Sequence, residues 1–100
     1  MTDYDQIQQF IRSDAYLITN HARQRMVERI ISTYDLECAI LVGEIIEEYT
    51  DDEPCPSVLI LSGIRDIPLH VVIGICRDHL RIITCYYPEQ KEWRDFRERR

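Results

Sequence analysis

The chain has 100 residues, 45% of them apolar and 30% charged, with a formal net charge of −6. This composition is typical of one globular domain, so residues 1–100 are expected to form a single domain, and the negative charge argues against general affinity for nucleic acid. No run comes near the roughly 18 apolar residues that span a bilayer, and the acidic start of the chain is unlike a signal peptide. We therefore expect a cytoplasmic protein with no membrane contact, in a bacterial cell.

Helices are predicted in the first half of the chain. Apolar residues recur at helical spacing in three segments, 3–13, 21–30 and 33–42. Thr19 or Asn20 can cap the second helix, and Ser32 can cap the third. Gly43 follows the third helix, where a left-handed C-cap residue is expected. Between the first two helices, the run 16–19 predicts a brief strand or an extended connector.

Strands are predicted in the second half. Runs rich in β-branched residues or with period-two alternation lie at 45–50, 57–63, 69–76 and 80–86. The first of these carries exposed glutamates and is expected near a sheet edge, and 89–100 is predicted to form a short C-terminal helix. This order predicts an α+β fold with two or three N-terminal helices on one face of a four-stranded antiparallel sheet. The expected core contains Met26, Ile30, Leu36, Ile40, Leu59, Val71, Ile73 and Ile82.

The cysteines and glycines argue against several kinds of site. Cys38, Cys55, Cys76 and Cys85 contain no C-x-x-C pair, and in a cytoplasmic chain they are expected to be reduced and to share no metal. No carboxylate lies at a recognised metal spacing, and three glycines are too few for a phosphate-binding loop. The sequence therefore predicts no metal and no cofactor.

Charge is distributed unevenly. The segment 34–56 holds eight acidic side chains and no basic one, whereas the rest of the chain has ten acidic and twelve basic residues. The acidic segment is either a solvated loop or a surface that binds a partner, and the basic residues lie on the second helix and in the C-terminal tail.

The second helix carries the first candidate site. At 100° per residue, His21 and Arg25 lie on one side, with Arg29 beside Arg25. The apolar residues gather on the opposite side, where they can pack on a sheet. Free N–H groups at the start of the helix add to the positive potential, so this surface is a candidate anion or phosphate site.

His70 is the second candidate, because it interrupts an apolar strand. Strand alternation places it on the face opposite Leu69 and Val71. Arg81 or Thr84 on the next strand, with one of the tyrosines that precede Pro88, could reach the same face. The alternative is a structural histidine whose ring is satisfied by a neighbouring carbonyl.

These residues together suit phosphodiester chemistry. His21 and His70 would be the catalytic acid and base, and Arg25 and Arg29 would stabilise the charged transition state. Arg81 and Tyr86 complete the expected substrate-binding set. This prediction requires His21 and His70 to lie close together at the rim of the sheet.

Four motifs follow one another in order: Thr19-x-His21-x3-Arg25-Met26-x2-Arg29-x-Ile31-Ser32, Gly43-Glu44-Ile45-Ile46-Glu47-x-Tyr49, Pro68-Leu69-His70-Val71-Val72 and Ile82-Ile83-Thr84-x-Tyr86. Over roughly 16–88 they resemble a bacterial domain-of-unknown-function family of the DUF4258 type. Proteins of that type look like relatives of the small RelE/ParE-, BrnT- and MqsR-type toxins.

The resemblance implies a RelE/BrnT-like α+β fold with a curved antiparallel sheet. It also implies a metal-independent mRNA endonuclease of a toxin–antitoxin pair, with an antitoxin (a zinc-finger type among them) and mRNA or the ribosome as partners. His21, Arg25, Arg29 and His70 occupy the family's recurring polar positions. The alternative is a non-catalytic protein-interaction module of the same fold, binding through the acidic stretch 44–56 or a sheet edge. The acidic net charge departs from the usual basic toxin and leaves this alternative open, and the sequence does not predict an oligomeric state.

Overall fold

The computed structural model describes residues 4–100 of the chain. The helices are α1 (Tyr4–Arg12), α2 (Asn20–Arg29) and α3 (Thr33–Leu41). The strands are β1 (Tyr16–Ile18), β2 (Glu44–Tyr49), β3 (Ser57–Ile64), β4 (Ile67–Ile75), β5 (Leu80–Tyr86), β6 (Trp93–Arg94) and β7 (Glu98–Arg99). The α+β class is confirmed, and the run 16–19 contains a brief strand, β1, between the first two helices. The predicted start of the first helix at residue 3 lies outside the described residues.

The main sheet has five strands in the order β1-β5-β4-β3-β2, so the prediction of four antiparallel strands was wrong. β2 to β5 form an antiparallel meander, and β2 lies at one edge as expected. The short β1 pairs with β5 in parallel, with Leu17 opposite Arg81. Without β1, the outer edge of β5 would present a row of unpaired backbone N–H and C=O groups. β1 forms hydrogen bonds with these groups, and its parallel pairing makes the sheet mixed.

The helices pack on one face of this sheet, which we call the helix face. α2 begins at Thr19, whose Oγ1 accepts from the Ala22 N–H at 3.1 Å and donates to the Ile83 carbonyl at 3.0 Å. Ser32 caps α3 by accepting from the Asp35 N–H. The caps therefore follow the sequence prediction, and the Thr19 hydroxyl also fixes α2 to β5. None of the three helices among residues 4–100 has the length and apolar character needed to cross a membrane.

Two predictions at the helix ends were wrong. Ile30, expected in the core, is 83% exposed. α2 ends at Arg29, and Ile30 adopts the left-handed conformation (φ 56°, ψ 51°), so its side chain leaves the helical stripe and Ile31 is buried in its place. Gly43 is not a left-handed cap, because the described glycines all have negative φ. A Cβ at Gly43 would lie 2.5 Å from Ile60 Cγ2, so glycine permits close packing there. The other predicted core residues are buried.

The segment 89–100 does not form the predicted helix. Its two short strands, β6 and β7, pair as an antiparallel hairpin with Trp93 opposite Arg99. Asp95 and Phe96, at the turn, have φ of 53° and 62°. Tertiary contacts override the helical spacing here, because Trp93 is buried against the main sheet. We call this element the C-terminal hairpin.

The prediction of four reduced cysteines was also wrong. Cys55 and Cys76 form a disulfide with a Cα–Cα distance of 5.2 Å, while Cys38 and Cys85 are free. In the β3–β4 ladder Ser57 lies opposite Gly74, and each cysteine lies two residues beyond that pair, so the same register brings them together. Disulfides are uncommon in the cytoplasm, so a cytoplasmic location stays a prediction that this bond does not favour.

Candidate functional site

The face of the main sheet opposite the helices carries a group of polar side chains. The helix face is apolar at residues such as Val71, whereas the opposite face presents Glu47 and Tyr49 from β2, His70 from β4 and Tyr86 from β5. We call these four residues the polar cluster. The C-terminal hairpin lies over them, so the cluster is enclosed between the sheet and the end of the chain.

His70 lies at the centre of the polar cluster and is fully buried. Its Nε2 is 2.6 Å from the Phe96 carbonyl oxygen, which can only accept, so Nε2 carries the proton and donates it. Its Nδ1 then accepts from the Tyr86 hydroxyl at 3.1 Å. The Trp93 ring packs edge-on with a centroid distance of 4.4 Å. Both ring nitrogens are therefore occupied, which is the structural arrangement that the sequence left open as an alternative.

Burial lowers the pKa of His70 below its usual 6.5, despite the hydrogen bond to Phe96 and the nearby charge of Glu47, which both raise it. The imidazole is accordingly neutral at pH 7. Burial likewise raises the pKa of the Tyr86 phenol. Neither group can exchange a proton with a substrate while the C-terminal hairpin covers it.

Glu47 forms the ionic part of the polar cluster. Arg99 donates to it in a bidentate manner, with Nε 3.1 Å from Oε2 and Nη2 3.2 Å from Oε1. The Tyr49 hydroxyl donates to the same carboxylate, and the Arg99 guanidinium lies over the Trp93 ring at 4.6 Å from its centroid. Burial alone would raise the pKa of Glu47, but the hydrogen bonds from Tyr49 and Arg99 outweigh it and lower the pKa.

The structure does not bring His21 and His70 together. α2 packs on the helix face through Ala22 and Met26, in the same apolar cluster as Val71. His70 follows the opposite alternation and lies beneath the C-terminal hairpin. His21 is exposed on the first turn of α2, and its side chain forms no hydrogen bond or ion pair within residues 4–100. The two histidines are separated by the sheet, so the predicted two-histidine site is not formed.

The remaining predicted site residues are divided in the same way. Arg25 and Arg29 lie on α2 and share Glu28, at 2.6 Å and 3.4 Å. Arg81 on β5 lies opposite Gly74 on β4. Gly74 is four residues along β4 from His70, so roughly 13 Å of strand separates Arg81 from His70. Of the predicted substrate-binding residues, only Tyr86 contacts His70.

Sequence reasoning missed Glu47, Tyr49 and Arg99 as members of this site. A signal was present, since Glu47 and Tyr49 are two positions apart on one strand and so share a face. They also belong to the acidic segment 34–56, while Arg99 belongs to the basic tail. The opposite charges of these two segments indicated that they could pair. The residues in contact could not be predicted, because 89–100 was expected to be a helix and forms a hairpin.

A second candidate site lies on the other side of the molecule. Val27, Ile30 and Tyr34 are 78%, 83% and 73% exposed, and we call them the α2–α3 surface. A groove of about 490 Å³ runs beside Val27 and Ile30, and Met26 and Ile31 form part of its lining. Large apolar side chains exposed next to a groove are typical of an interaction surface.

The comparison with family models identifies one match, a domain of unknown function (DUF4258), over residues 18–87. This match covers more than half of the chain. The chain belongs to the DUF4258 family. Neither the curated proteins nor the solved structures give a match.

The DUF4258 match contains all four residues of the polar cluster and all of the α2–α3 surface. It ends at residue 87, before the C-terminal hairpin begins. The cluster and the hairpin that covers it therefore lie on different sides of that boundary, whereas the α2–α3 surface lies entirely within the DUF4258 region.

Proposed function

We propose that this DUF4258 protein is a non-catalytic protein-binding domain, and that its α2–α3 surface receives an acidic amphipathic helix of a partner protein. The observation that carries this proposal is Ile30, a β-branched residue in a left-handed backbone conformation with its side chain in solvent. The sequence offered such a protein-interaction module as its alternative function. The binding surface proposed here is the α2–α3 surface and not the acidic stretch 44–56.

Ile30 is unfavourable for the isolated domain in two ways. A β-branched residue at positive φ costs on the order of 1–2 kcal/mol relative to glycine, and asparagine also tolerates this conformation better. Burial of the side chain does not offset this cost in free energy, since Ile30 is 83% exposed. Val27, one helical turn earlier, is exposed to a similar degree. A partner that buries both side chains would supply the apolar contact that the free domain lacks.

Charge around the groove favours an acidic partner. The two charged residues that line the groove, Asp35 and Arg65, pair with each other at 3.0 Å and leave no net charge there. Arg23 lines an adjacent pocket that shares Val27 with the groove, and it forms no ion pair within residues 4–100. A second copy related by a two-fold axis would bring the two Arg23 side chains towards one another, whereas an acidic helix would pair with Arg23.

The endonuclease prediction has less support from the geometry. Its two proposed catalytic histidines lie on opposite sides of the sheet, and both nitrogens of His70 are already hydrogen-bonded. The direct test is inducible expression of the wild-type protein and the His70→Ala variant, with growth and mRNA levels recorded. Arrest and mRNA loss with the wild type alone would support a nuclease and contradict a purely binding role.

Binding at the α2–α3 surface can be tested with labelled helical peptides and fluorescence anisotropy. One peptide has leucines at i, i+3, i+4 and i+7 with glutamates elsewhere, and its match has lysines in place of the glutamates. We expect saturable binding of the glutamate peptide, at least about tenfold tighter than the lysine peptide. Equal or absent binding of the two would contradict the proposal.

Ile30→Asn is the decisive variant, because asparagine tolerates the left-handed conformation. It should weaken peptide binding by about tenfold while leaving the unfolding free energy unchanged or up to about 1 kcal/mol higher. The matched control is Val42→Asn, since Val42 is 80% exposed at the far end of α3. If Ile30→Asn binds as well as the wild type, or if Val42→Asn weakens binding equally, the surface is not the binding site.

A further inference from the structure

The C-terminal hairpin is too small to be stable by its own pairing. β6 and β7 have two residues each and form two residue pairs, Trp93 with Arg99 and Arg94 with Glu98. Even longer isolated hairpins are only marginally stable in water. What holds this one in place must therefore come from its contacts with the main sheet.

The turn of the hairpin adds a further cost. The Arg97 N–H donates to the Arg94 carbonyl at 3.0 Å, and both central residues, Asp95 and Phe96, have positive φ. Such a turn favours asparagine and glycine, so a phenylalanine in the second position is strained. The same Phe96 presents its carbonyl oxygen to His70, so the strained turn is kept where it contacts the polar cluster.

Besides the hydrogen bond from His70 to the Phe96 carbonyl, the main sheet supplies two ion pairs and one ring contact to the hairpin. Arg99 is held by Glu47 and lies near the Tyr49 hydroxyl, at 3.4 Å. A second arginine, Arg97, pairs with Glu44 at 2.5 Å. The third contact is the buried edge of Trp93 against His70. The polar cluster thus binds one arginine, one aromatic ring and one backbone carbonyl of a short peptide segment.

We propose that the polar cluster is a peptide-binding site for segments that carry an arginine and an aromatic residue, and that the C-terminal hairpin is its displaceable internal ligand. The binding residues lie on β2, β4 and β5 within the family match, while the ligand residues follow β5 and lie beyond the match. A partner segment of the same chemistry can occupy the cluster when the hairpin leaves. This inference is independent of the α2–α3 surface, which lies on the other side of the sheet.

The test uses the Arg97→Ala/Arg99→Ala variant of the whole chain, called the loosened variant, in which the ion pairs between the hairpin and β2 are removed. Trp93 is the only tryptophan of the chain, so its emission should shift to the red as the ring leaves His70. A labelled peptide with the sequence of residues 89–100 should then bind this variant at least about tenfold tighter than it binds the wild type. In the wild type the attached hairpin competes at an effective concentration of about millimolar.

Two matched controls assign the binding to the polar cluster. A peptide with Arg99→Ala should bind the loosened variant at least about tenfold more weakly, because it lacks the bidentate contact with Glu47. Adding Glu47→Gln to the loosened variant should weaken binding of the unchanged peptide to a similar degree. If the two peptides bind equally, or if neither binds, the proposal is wrong.

Lowered stability of the loosened variant would be informative as well. If Trp93 emission and far-ultraviolet dichroism report one common unfolding transition at lower denaturant, the hairpin is an integral part of the domain and the proposal fails. Arg97→Ala alone, which keeps the Arg99 contact, is the milder second variant. In this variant Trp93 emission should shift to the red at a lower denaturant concentration than the one at which the helical dichroism is lost. Coincidence of these two transitions would also overturn the proposal.

Discussion

The two faces of the main sheet are stabilised in different ways. The helix face is covered by three helices and buries a continuous set of aliphatic side chains. The opposite face is covered by a hairpin of two short strands, held by His70, Glu47 and their partners. Apolar burial has no directional requirement and little dependence on pH, whereas the hydrogen bonds and ion pairs depend on geometry and protonation. The helix layer should therefore persist under conditions that release the hairpin.

The largest effect is expected on the helix face. Ile60 is fully buried within the main core cluster, and Ile60→Ala should lower the unfolding free energy by about 2–5 kcal/mol through lost contacts and the cavity left behind. Urea denaturation followed by both Trp93 emission and far-ultraviolet dichroism would measure it. Both transitions should move to lower urea, because the change weakens the whole domain. A dichroism transition that does not move, or a loss well under about 1 kcal/mol, would contradict the assignment of Ile60 to the common core.

His70→Ala should have a smaller and more local effect. The substitution removes the donor to the Phe96 carbonyl and the ring that packs against Trp93, and we expect a loss of about 1–3 kcal/mol. Unlike Ile60→Ala, it should shift Trp93 emission to the red in the absence of denaturant. An unchanged Trp93 spectrum would show that the imidazole does not hold the hairpin.

These two variants also separate what the sequence could predict from what it could not. Leu69 and Val71 were placed on one face, and His70 on the other, by strand alternation alone, a local property that the fold preserves. The partners of His70 were not accessible, because they come from a hairpin whose residues have helical spacing and whose turn is strained at Phe96. The Cys55–Cys76 bond required the β3–β4 register, which no local pattern supplies.

Ile30 shows a further limit. Its spacing in α2 is that of a core residue, and only the position of the helix end, set by the left-handed backbone at Ile30 itself, removes it from the core. Helix ends are the least predictable part of a helix, since one residue decides between burial and exposure. The predicted pairing of His21 with His70 was wrong for another reason: strand alternation correctly put His70 on the face away from the helices, and the sheet separates that face from His21 on α2.

Acidification should distinguish the two faces without any substitution. Burial lowers the pKa of His70 in the covered state, so the uncovered state binds a proton more readily. The contribution of His70 to hairpin retention is full above the ordinary value of about 6.5 and declines as the pH falls below it. Glu47, whose pKa is also lowered, acts in the same direction at lower pH, below its ordinary value of 4.5.

The measurement is Trp93 emission between pH 7.5 and 4, with far-ultraviolet dichroism as the control for the helices. Emission should shift to the red before the dichroism changes. His70→Ala, whose emission is already shifted to the red at pH 7.5, should lack the step that begins near pH 6.5. Retention of that first step in His70→Ala would assign it to another group.

The smallest effect is expected for His21, the residue that the sequence paired with His70. Its side chain is exposed on the first turn of α2, and within the described residues it has no hydrogen bond or ion pair. His21→Ala should therefore change the unfolding free energy by no more than about 0.5 kcal/mol and leave Trp93 emission unchanged at every pH. Denaturation of His21→Ala and His70→Ala under the same conditions makes the comparison between the two layers direct. If His21→Ala lowered the free energy of unfolding as much as His70→Ala, the two histidines would be coupled across the sheet. The two faces would then not be stabilised independently.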